Sequence, residues 1–236
     1  MPTIRLVNVA KIYESKRRKT TALMDVDLEI RQGEFVFFVG SRGAGKSTLL
    51  DVIAGEVQPD WGDVYLDRVN LYKGKRKELD ALRRASFGRI GQEMELDRTA
   101  TVNENLGVAR RRGLFRRKAG VDEAVAEKAL ALVGMPESGE RYPKDLRTSQ
   151  CRRIQVAKAI LSSPPILLMD DFTDRMDNDT IWDMRHLLDA LNQGGTTILL
   201  ATNSSSIVNV MRRRVITLAD GKIVGDVKKG RYGYIG

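Results

Sequence analysis

Cysteine and histidine are almost absent from this sequence of 236 residues, in which Cys151 and His186 are the single examples of each. One cysteine excludes an intramolecular disulfide, and the two residues together are too few for a zinc site of the usual cysteine and histidine kind. Any metal is therefore expected to have oxygen ligands. We expect Cys151 to be a small residue facing its helix contacts, His186 to be partly exposed on a helix, and Trp61 and Trp182 to be packing residues.

Long apolar runs are also missing. No run of about 18 uninterrupted apolar residues occurs, and the N-terminal residues lack the short apolar core of a secretory signal. We therefore expect a cytoplasmic protein. With 236 residues and 42% hydrophobic content, the chain can bury one substantial core, so a single domain is predicted for residues 1–236.

Aromatic residues are scarce at 6%, whereas the net charge is +9. Such a charge predicts an anionic neighbour, which could be nucleic acid, an acidic protein or the inner face of a membrane. Basic runs occupy residues 16–19, 73–77 and 110–118, and Phe115 is the only aromatic residue within them. A base-stacking surface is therefore disfavoured, and nucleic acid with it. The alternatives left for these runs are solvated loops and contact with an anionic membrane or a partner.

Apolar patterns predict strands in five places. Residues 3–13 and 22–30 alternate apolar and polar positions, which is typical of antiparallel strands with one wet face. Residues 35–40, 165–171 and 196–202 are continuous apolar runs, as in strands that are covered on both faces. The sequence thus indicates a buried sheet with an antiparallel β portion near the N-terminus.

Helical spacing separates these strands. A helix is predicted at residues 46–54, with Gly55 as its C-terminal stop, and an amphipathic helix at residues 178–191. Residues 102–161 are mostly helical in pattern, and Asp220 with Gly221 forms a tight hairpin signal. The predicted fold is a mixed α/β core of the P-loop kind with a helical subdomain over about residues 93–160.

Residues 40–48, GSRGAGKST, match the phosphate-binding pattern G-x-x-x-x-G-K-[ST] between a buried strand and a helix. Glycines let backbone N–H groups turn toward phosphates, Lys46 reaches the β and γ oxygens, and Ser47 offers a hydroxyl to Mg²⁺. The positive end of the following helix points at the same anion. The candidate ligands of ATP in this loop are Gly40, Ser41, Gly43, Ala44, Gly45, Lys46, Ser47 and Thr48.

Two adjacent carboxylates follow the apolar strand that begins near residue 165. Asp170 stands at the strand end, where a carboxylate binds Mg²⁺ directly or through water. The alternative role for Asp170 is an N-cap of the following segment. Asp171 beside it is a candidate general base for an attacking water.

These motifs together resemble the ABC ATPase family over essentially the whole chain. Tyr13 falls where the family stacks an aromatic ring on adenine, and ILLMDD matches the Walker B strand. Gln92 matches the Q-loop glutamine, which implies contact with magnesium and the reacting nucleotide, and Asp177 matches the D-loop aspartate. The implied cofactors are ATP and Mg²⁺, and the implied reaction is hydrolysis of ATP to ADP and phosphate.

Within that family, three stretches are similar to the FtsE group of cell-division ATPases: SRGAGKSTLL, LDRTATVNENL and LADGKIVGDVKKGRYGY. The resemblance implies a homodimer that forms on ATP binding beneath an FtsX-like integral membrane protein, on the inner face of the cell membrane. It further implies that movement driven by ATP passes through that partner to cell-wall hydrolases. Alternatives are a transporter ATPase of the lipoprotein-release or macrolide-export kind, and a nucleotide-dependent scaffold with little hydrolysis.

The sequence departs from the family at positions needed for hydrolysis. The LSGGQ-like signature is replaced by LRTSQ, with Arg147 and Thr148 where the family has small residues. Asp171 replaces the family's glutamate and is one methylene shorter, and Asn203 replaces the switch histidine. Asparagine hydrogen-bonds but carries no charge and cannot shuttle a proton. We therefore expect Mg-ATP binding with slow hydrolysis.

Overall fold

A computed structural model describes residues 3–15, 18–93, 95–108, 120–172 and 178–233. The chain divides into two compact units, the first formed by Met1–Gln92 with Pro165–Gly236 and the second by Glu93–Pro164. The elements in chain order are β1 (Ile4–Ser15), β2 (Arg18–Ile30), β3 (Phe35–Val39), α1 (Lys46–Ile53), β4 (Trp61–Leu66), β5 (Val69–Asn70), α2 (Arg76–Ser86), β6 (Phe87–Ile90), α3 (Val102–Asn105), α4 (Glu123–Leu132), a 3-10 turn (Pro143–Asp145), α5 (Thr148–Ile160), β7 (Ile166–Asp170), α6 (Asn178–Gln193), β8 (Thr197–Ala201), α7 (Ser205–Met211), β9 (Arg214–Ala219) and β10 (Lys222–Val227).

The first unit holds a six-stranded sheet in the order β10-β9-β3-β8-β7-β6. Neighbouring strands from β9 to β6 run parallel, while β10 is antiparallel to β9. Every residue of β3 and β8 is buried, which agrees with their continuous apolar sequences. The three predicted buried strands are confirmed as β3, β7 and β8, and α6 joins the last two as a strand, helix, strand unit.

The same unit contains a four-stranded sheet in the order β2-β1-β4-β5, and its paired strands are antiparallel. Alternate residues of β1 point inward, so that Ile4 pairs with Ile30 and Leu6 with Leu28 on the buried face. One hydrophobic core includes residues of this sheet, of α1 and of β3, β7, β8 and β9. The predicted antiparallel portion near the N-terminus is confirmed.

Local turn signals are realised as predicted. Gly55, just past α1, has φ +77, the left-handed conformation that ends a helix. Asp220 and Gly221, between β9 and β10, have φ +48 and +76, as a type I′ hairpin turn requires.

The second unit is mainly helical. Asp122 caps α4 by accepting a hydrogen bond from the Ala124 amide at 2.8 Å. Cys151 lies on α5 with its Sγ 3.4 Å from the Pro143 carbonyl oxygen, and burial raises the pKa of this thiol. Across the described ranges of the chain, no helix is long and apolar enough to cross a membrane.

The expectation that both tryptophans are packing residues is wrong, since Trp61 is 62% exposed and Trp182 is 51% exposed. The inward positions of α6 include Met184, Leu187 and Leu188, and Trp182 falls off that stripe. Its ring contacts the Arg185 guanidinium at 4.8 Å and the exposed His186 ring at 5.7 Å.

Candidate functional site

The loop of residues 40–47 joins the carboxyl end of β3 to the first turn of α1. The Leu49 amide donates to Gly45 O at 2.8 Å, which closes the first turn of α1. In general, the amides of a helix's first turn lack the intrahelical partners that later amides have. Such amides together carry the partial positive charge of a helix N-terminus. The loop is therefore suited to bind an anion such as phosphate.

Two glycines of this loop are required by close backbone contacts. Gly40 has φ +149, and a Cβ there would lie 2.2 Å from the Leu218 carbonyl oxygen. Gly45 has φ +104, and a Cβ there would lie 2.3 Å from the Ala22 carbonyl oxygen. Any side chain would push the loop away from β2 or β9, so glycine at these positions sets the loop's path.

The remaining candidate residues of this motif are Ser41, Gly43, Ala44 and Thr48. The Ser41 carbonyl oxygen accepts a hydrogen bond from the Ala44 amide at 3.1 Å, and the Ala44 carbonyl accepts one from the Gly221 amide at 3.2 Å. Ala44 is buried, whereas Gly43 is exposed with φ +80 and open space around it. Thr48 is half-buried in the first turn of α1. The loop is thus anchored to the β9–β10 turn and open at Gly43.

Lys46 lies inside the loop and is buried, with only 6% of the residue exposed. Its Nζ donates to Gly40 O at 2.8 Å, to Ser41 O at 3.0 Å and to Asn203 Oδ1 at 3.0 Å. A buried ammonium is stable only when acceptors surround it. These contacts hold the positive charge inside the loop.

Asp170 is the last residue of β7, and one of its two carboxylate oxygens is buried. Among the described residues, its Oδ1 is buried without a hydrogen-bond partner. Burial raises the pKa of this carboxyl, while a hydrogen bond from Ser47 and the charges of Arg89 and Lys46 oppose that rise. An unsatisfied carboxylate oxygen beside a serine hydroxyl is the donor chemistry that Mg²⁺ prefers.

Asp171 and Asn203 meet because β7 and β8 are adjacent parallel strands. The Asp171 amide donates to Ala201 O at 2.9 Å, and Asn203 Nδ2 donates to Asp171 Oδ1 at 3.3 Å. Asp171 has φ +43, a left-handed conformation in which aspartate is among the less strained residue types. The structure thus brings Lys46, Asn203 and Asp171 together at the carboxyl ends of neighbouring strands.

Tyr13 and Gln92 lie toward the edges of this region. Tyr13, on β1, is 42% exposed and pairs with Thr20, two residues before the Ala22 carbonyl that contacts Gly45. The Lys11 ammonium lies 5.5 Å from the centre of the Tyr13 ring. Gln92 is exposed two residues after β6, the neighbour of β7 in the sheet.

Arg89 is a charged residue at this edge that the sequence analysis did not identify. It lies on β6 and forms ion pairs with Asp51 of α1 and with Glu56. Its charge is also one of those that lower the pKa of Asp170. An arginine inside the short strand sequence FGRI was the available signal, but its partners are 38 and 33 residues away along the chain.

The altered signature segment belongs to the second unit. Arg147 precedes α5, and its amide donates to Gln150 Oε1 at 3.0 Å, so Gln150 serves as half of a capping box. Arg147 and Thr148 are both exposed. The D-loop candidate Asp177 and the basic run 110–118 lie outside the described residues.

The comparisons with known proteins agree with this geometry. The family model described as ABC transporter matches residues 23–174. The chain belongs to this family. The predicted resemblance and the predicted P-loop fold are both confirmed.

Individual proteins of known name or structure are similar to this chain over nearly its whole length. The chain is 38% identical to the cell division ATP-binding protein FtsE of Streptococcus pneumoniae over 99% of both chains. It is 32% identical to FtsE of Bacillus subtilis over 97% of this chain and 99% of that protein. Among solved structures, it is similar to the dimeric ATP-binding cassette MJ0796 bound to ADP and Pi, with TM-score 0.80 and 30% identity over 97% of this chain and all of that one.

Proposed function

We propose that this protein is the ATP-binding subunit of an FtsEX-like complex in bacterial cell division. The observation that carries the proposal is the loop of residues 40–47, which holds the buried Lys46 ammonium with the Gly40 and Ser41 carbonyls and leads directly into the first turn of α1. Full-length similarity to proteins named FtsE supports the division role. Both units together form the single ABC ATPase domain of this proposal.

Each part of ATP has a proposed partner. Tyr13 stacks on adenine. Its residue is exposed on β1, and it pairs with Thr20 of β2, the strand whose Ala22 carbonyl lies against Gly45 of the loop. The amides of residues Gly43 to Thr48 and the Lys46 ammonium bind the phosphates, and Gly40, Ser41 and Ala44 shape the backbone around them.

Mg²⁺ fits the oxygens of Ser47 and Asp170, with Gln92 as an additional ligand. The fit rests on the buried Oδ1 of Asp170, which has no hydrogen-bond partner among the described residues, and on the hydrogen bond that the carboxyl group accepts from Ser47. When bound, the ion neutralises charge on the β and γ phosphates. Mg²⁺ in nucleotide sites is usually bound by one or two protein side chains together with the substrate phosphates.

Replacing Asp170 with asparagine is expected to stabilise the protein alone and to remove its response to Mg-ATP. The raised pKa means that the folded state disfavours the charged carboxylate, so this group's stabilising contribution is complete below the unfolded pKa of 3.8 and is lost as pH rises through the raised folded pKa. At pH 7 the wild type carries that cost, and Asp170→Asn does not.

The measurement is the thermal midpoint at pH 7 with and without Mg-ATP. We expect Asp170→Asn to melt higher than wild type alone and to gain less than half of the wild-type increment on adding Mg-ATP. Ser204→Ala, which leaves Asp170 intact, is the matched control and should keep the wild-type increment. A full increment in Asp170→Asn would contradict the magnesium role.

Hydrolysis is proposed to be slow in the isolated subunit. Asp171 is the proposed base for the attacking water, with Asn203 and Gln92 completing the catalytic set. Its carboxylate is shorter than the family's glutamate, and a displacement of about 1 Å costs on the order of a hundredfold in rate. Arg147 and Thr148 put bulk where the family has serine and glycine. Binding is therefore preserved better than turnover.

The proposed partners are a second copy of this chain and an FtsX-like integral membrane protein. ATP closes the homodimer, and the closure moves the membrane partner. The net charge of +9 supports a place against the anionic inner face of the cell membrane.

Depletion of the protein in its source organism tests the cellular role. Cells are expected to elongate or fail to separate, and a plasmid copy of the wild type restores division whereas Lys46→Ala does not. Normal division after complete depletion would contradict the proposal. A transporter ATPase would instead give a transport defect.

A nucleotide-dependent scaffold is the second candidate, favoured by the altered residues Arg147, Asp171 and Asn203. The same depletion strain separates the two. A variant such as Asp171→Asn, which keeps the loop and lacks the proposed base, restores division if binding alone suffices and fails if hydrolysis is needed.

A further inference from the structure

Three charged side chains meet where α1 approaches β6, and we call them the ion-pair cluster. The Arg89 guanidinium on β6 donates to the carboxylate of Asp51 on α1 and to that of Glu56, which lies just past the helix. The Asp51 side chain is 23% exposed, whereas that of Glu56 is 53% exposed. Two carboxylates and one guanidinium leave the cluster with one net negative charge.

The cluster lies next to the proposed magnesium ligands. Asp51 is four residues after Ser47 on α1, and residues at that spacing are neighbours on one helix face. Ser47 in turn donates a hydrogen bond to Asp170. On the other side, β6 pairs with β7, which ends at Asp170, and so brings Arg89 to the same edge of the sheet.

The two members of the more shielded ion pair act on Asp170 with opposite sign. The Asp51 carboxylate raises the pKa of Asp170, and the Arg89 guanidinium lowers it. Each charge therefore offsets the other at this carboxyl. A divalent cation bound by Asp170 would experience the same two charges, with attraction from Asp51 and repulsion from Arg89.

We propose that Arg89 is a positioning residue that holds and neutralises Asp51 behind the magnesium ligands, and that this pair sets how much Mg²⁺ contributes to nucleotide binding. Without the arginine, Asp51 would attract the ion and repel the phosphates of ATP. Without Asp51, the arginine would do the reverse. This role rests on the proposed binding of Mg-ATP at the loop, and it assigns the pair an action through space rather than as ligands of the ion.

The affinity of a fluorescent ATP analogue, measured in excess Mg²⁺ and again in EDTA, tests this role. The ratio of the two affinities is the magnesium effect. Arg89→Gln is expected to increase this ratio and Asp51→Asn to decrease it, each at least about threefold, because a divalent ion then meets an uncompensated unit charge. The double variant has the wild-type cluster charge and is expected to return the ratio to within about twofold of wild type.

A purely structural ion pair predicts a different pattern. Each single variant would then loosen the contact between α1 and β6, and both would lower the ratio. The double variant would not recover. Arg89→Lys gives a further distinction, since lysine keeps the charge but lacks the planar fork that reaches two carboxylates. We expect Arg89→Lys to melt at a lower temperature and to keep the wild-type ratio, and a ratio lowered as far as in Asp51→Asn would overturn the proposal.

Glu56→Gln is the matched control for Asp51→Asn. It removes the same charge from the cluster and takes away the other partner of Arg89. Because Glu56 is more exposed, solvent and salt screen its charge more strongly, and we expect the ratio to change less than about twofold. An effect as large as that of Asp51→Asn would overturn the role of Asp51, because net charge alone would then explain both.

The outcomes separate this proposal from the proposed function. If the wild type binds Mg-ATP and the two single variants shift the ratio in the same direction or leave it unchanged, the role of the pair is overturned and the proposed function stands. If the folded wild type binds no Mg-ATP, both fall. Should Arg89→Gln fail to fold, the comparison of Asp51→Asn with Glu56→Gln decides, since a decrease in the first alone supports the proposal and equal ratios overturn it.

Discussion

Lys46→Ala is expected to weaken Mg-ATP binding at least about a hundredfold, a loss near 2.7 kcal/mol. The ammonium lies inside the loop, and its bonds to phosphate would be charge-assisted, each worth about 1.5–3 kcal/mol. Its removal takes away a positive charge that the Gly40 and Ser41 carbonyls hold inside the loop. Displacement of a fluorescent ATP analogue in the presence of Mg²⁺ measures the loss.

Lys128→Ala is the matched control for Lys46→Ala. Lys128 is exposed on α4 in the second unit, so its replacement makes the same change in net charge away from the loop. We expect Lys128→Ala to bind Mg-ATP as the wild type does. Equal affinities of Lys46→Ala and wild type, with both proteins folded by circular dichroism, would contradict the phosphate role of Lys46.

Rebuilding the family's residues is expected to raise ATP turnover at least about a hundredfold, the factor that about 1 Å of misplacement costs. The variant carries Arg147→Ser, Thr148→Gly, Ser149→Gly, Asp171→Glu and Asn203→His. Asp171→Glu returns the missing methylene, and the first three changes remove side-chain bulk at the N-terminus of α5. Phosphate release per enzyme at saturating Mg-ATP measures turnover.

One control limits the interpretation of this gain. The same variant with Lys46→Ala should show no turnover, which excludes a contaminating ATPase. The left-handed conformation of Asp171, with φ +43, suits glutamate less well than aspartate, so some loss of stability is expected alongside the gain in rate. Fast turnover in the unmodified, isolated protein would contradict the proposal that these positions slow hydrolysis.

The elements predicted from the sequence are those with strong local signals. β3 and β8 are apolar without interruption, α1 ends at a glycine, and Asp220 with Gly221 forms the hairpin turn. In these segments, local preference and tertiary environment agree. Such agreement is why the core sheet could be anticipated without any contact information.

The sequence patterns of α2, β4 and β5 are too weak to predict these elements. Helix α2 buries only Leu79 and Ser86, and Leu79 and Leu82 are the only large apolar residues in its charge-dominated sequence, so its helical period is weakly marked. The hairpin of β4 and β5 buries Val64 and Leu66, and β5 has two residues. The pairing of β4 with β1 joins residues more than 50 positions apart, which local pattern does not encode.

The candidate site likewise has a part that the sequence predicts and a part that it does not. Its loop is contiguous in sequence, so the role of residues 40–48 follows from the motif alone. The hydrogen bonds from Lys46 through Asn203 to Asp171 join residues 157 and 32 positions apart, and only the order of the sheet brings them together. The ion pairs of Arg89 could not be predicted either, because its partners are also far away along the chain.

Calorimetric titration of the purified, folded protein with Mg-ATP tests the central claim most directly. The account predicts saturable binding with a dissociation constant below about 1 mM, equivalent to about −4.1 kcal/mol, and its loss in Lys46→Ala. Absence of binding at millimolar Mg-ATP would contradict it.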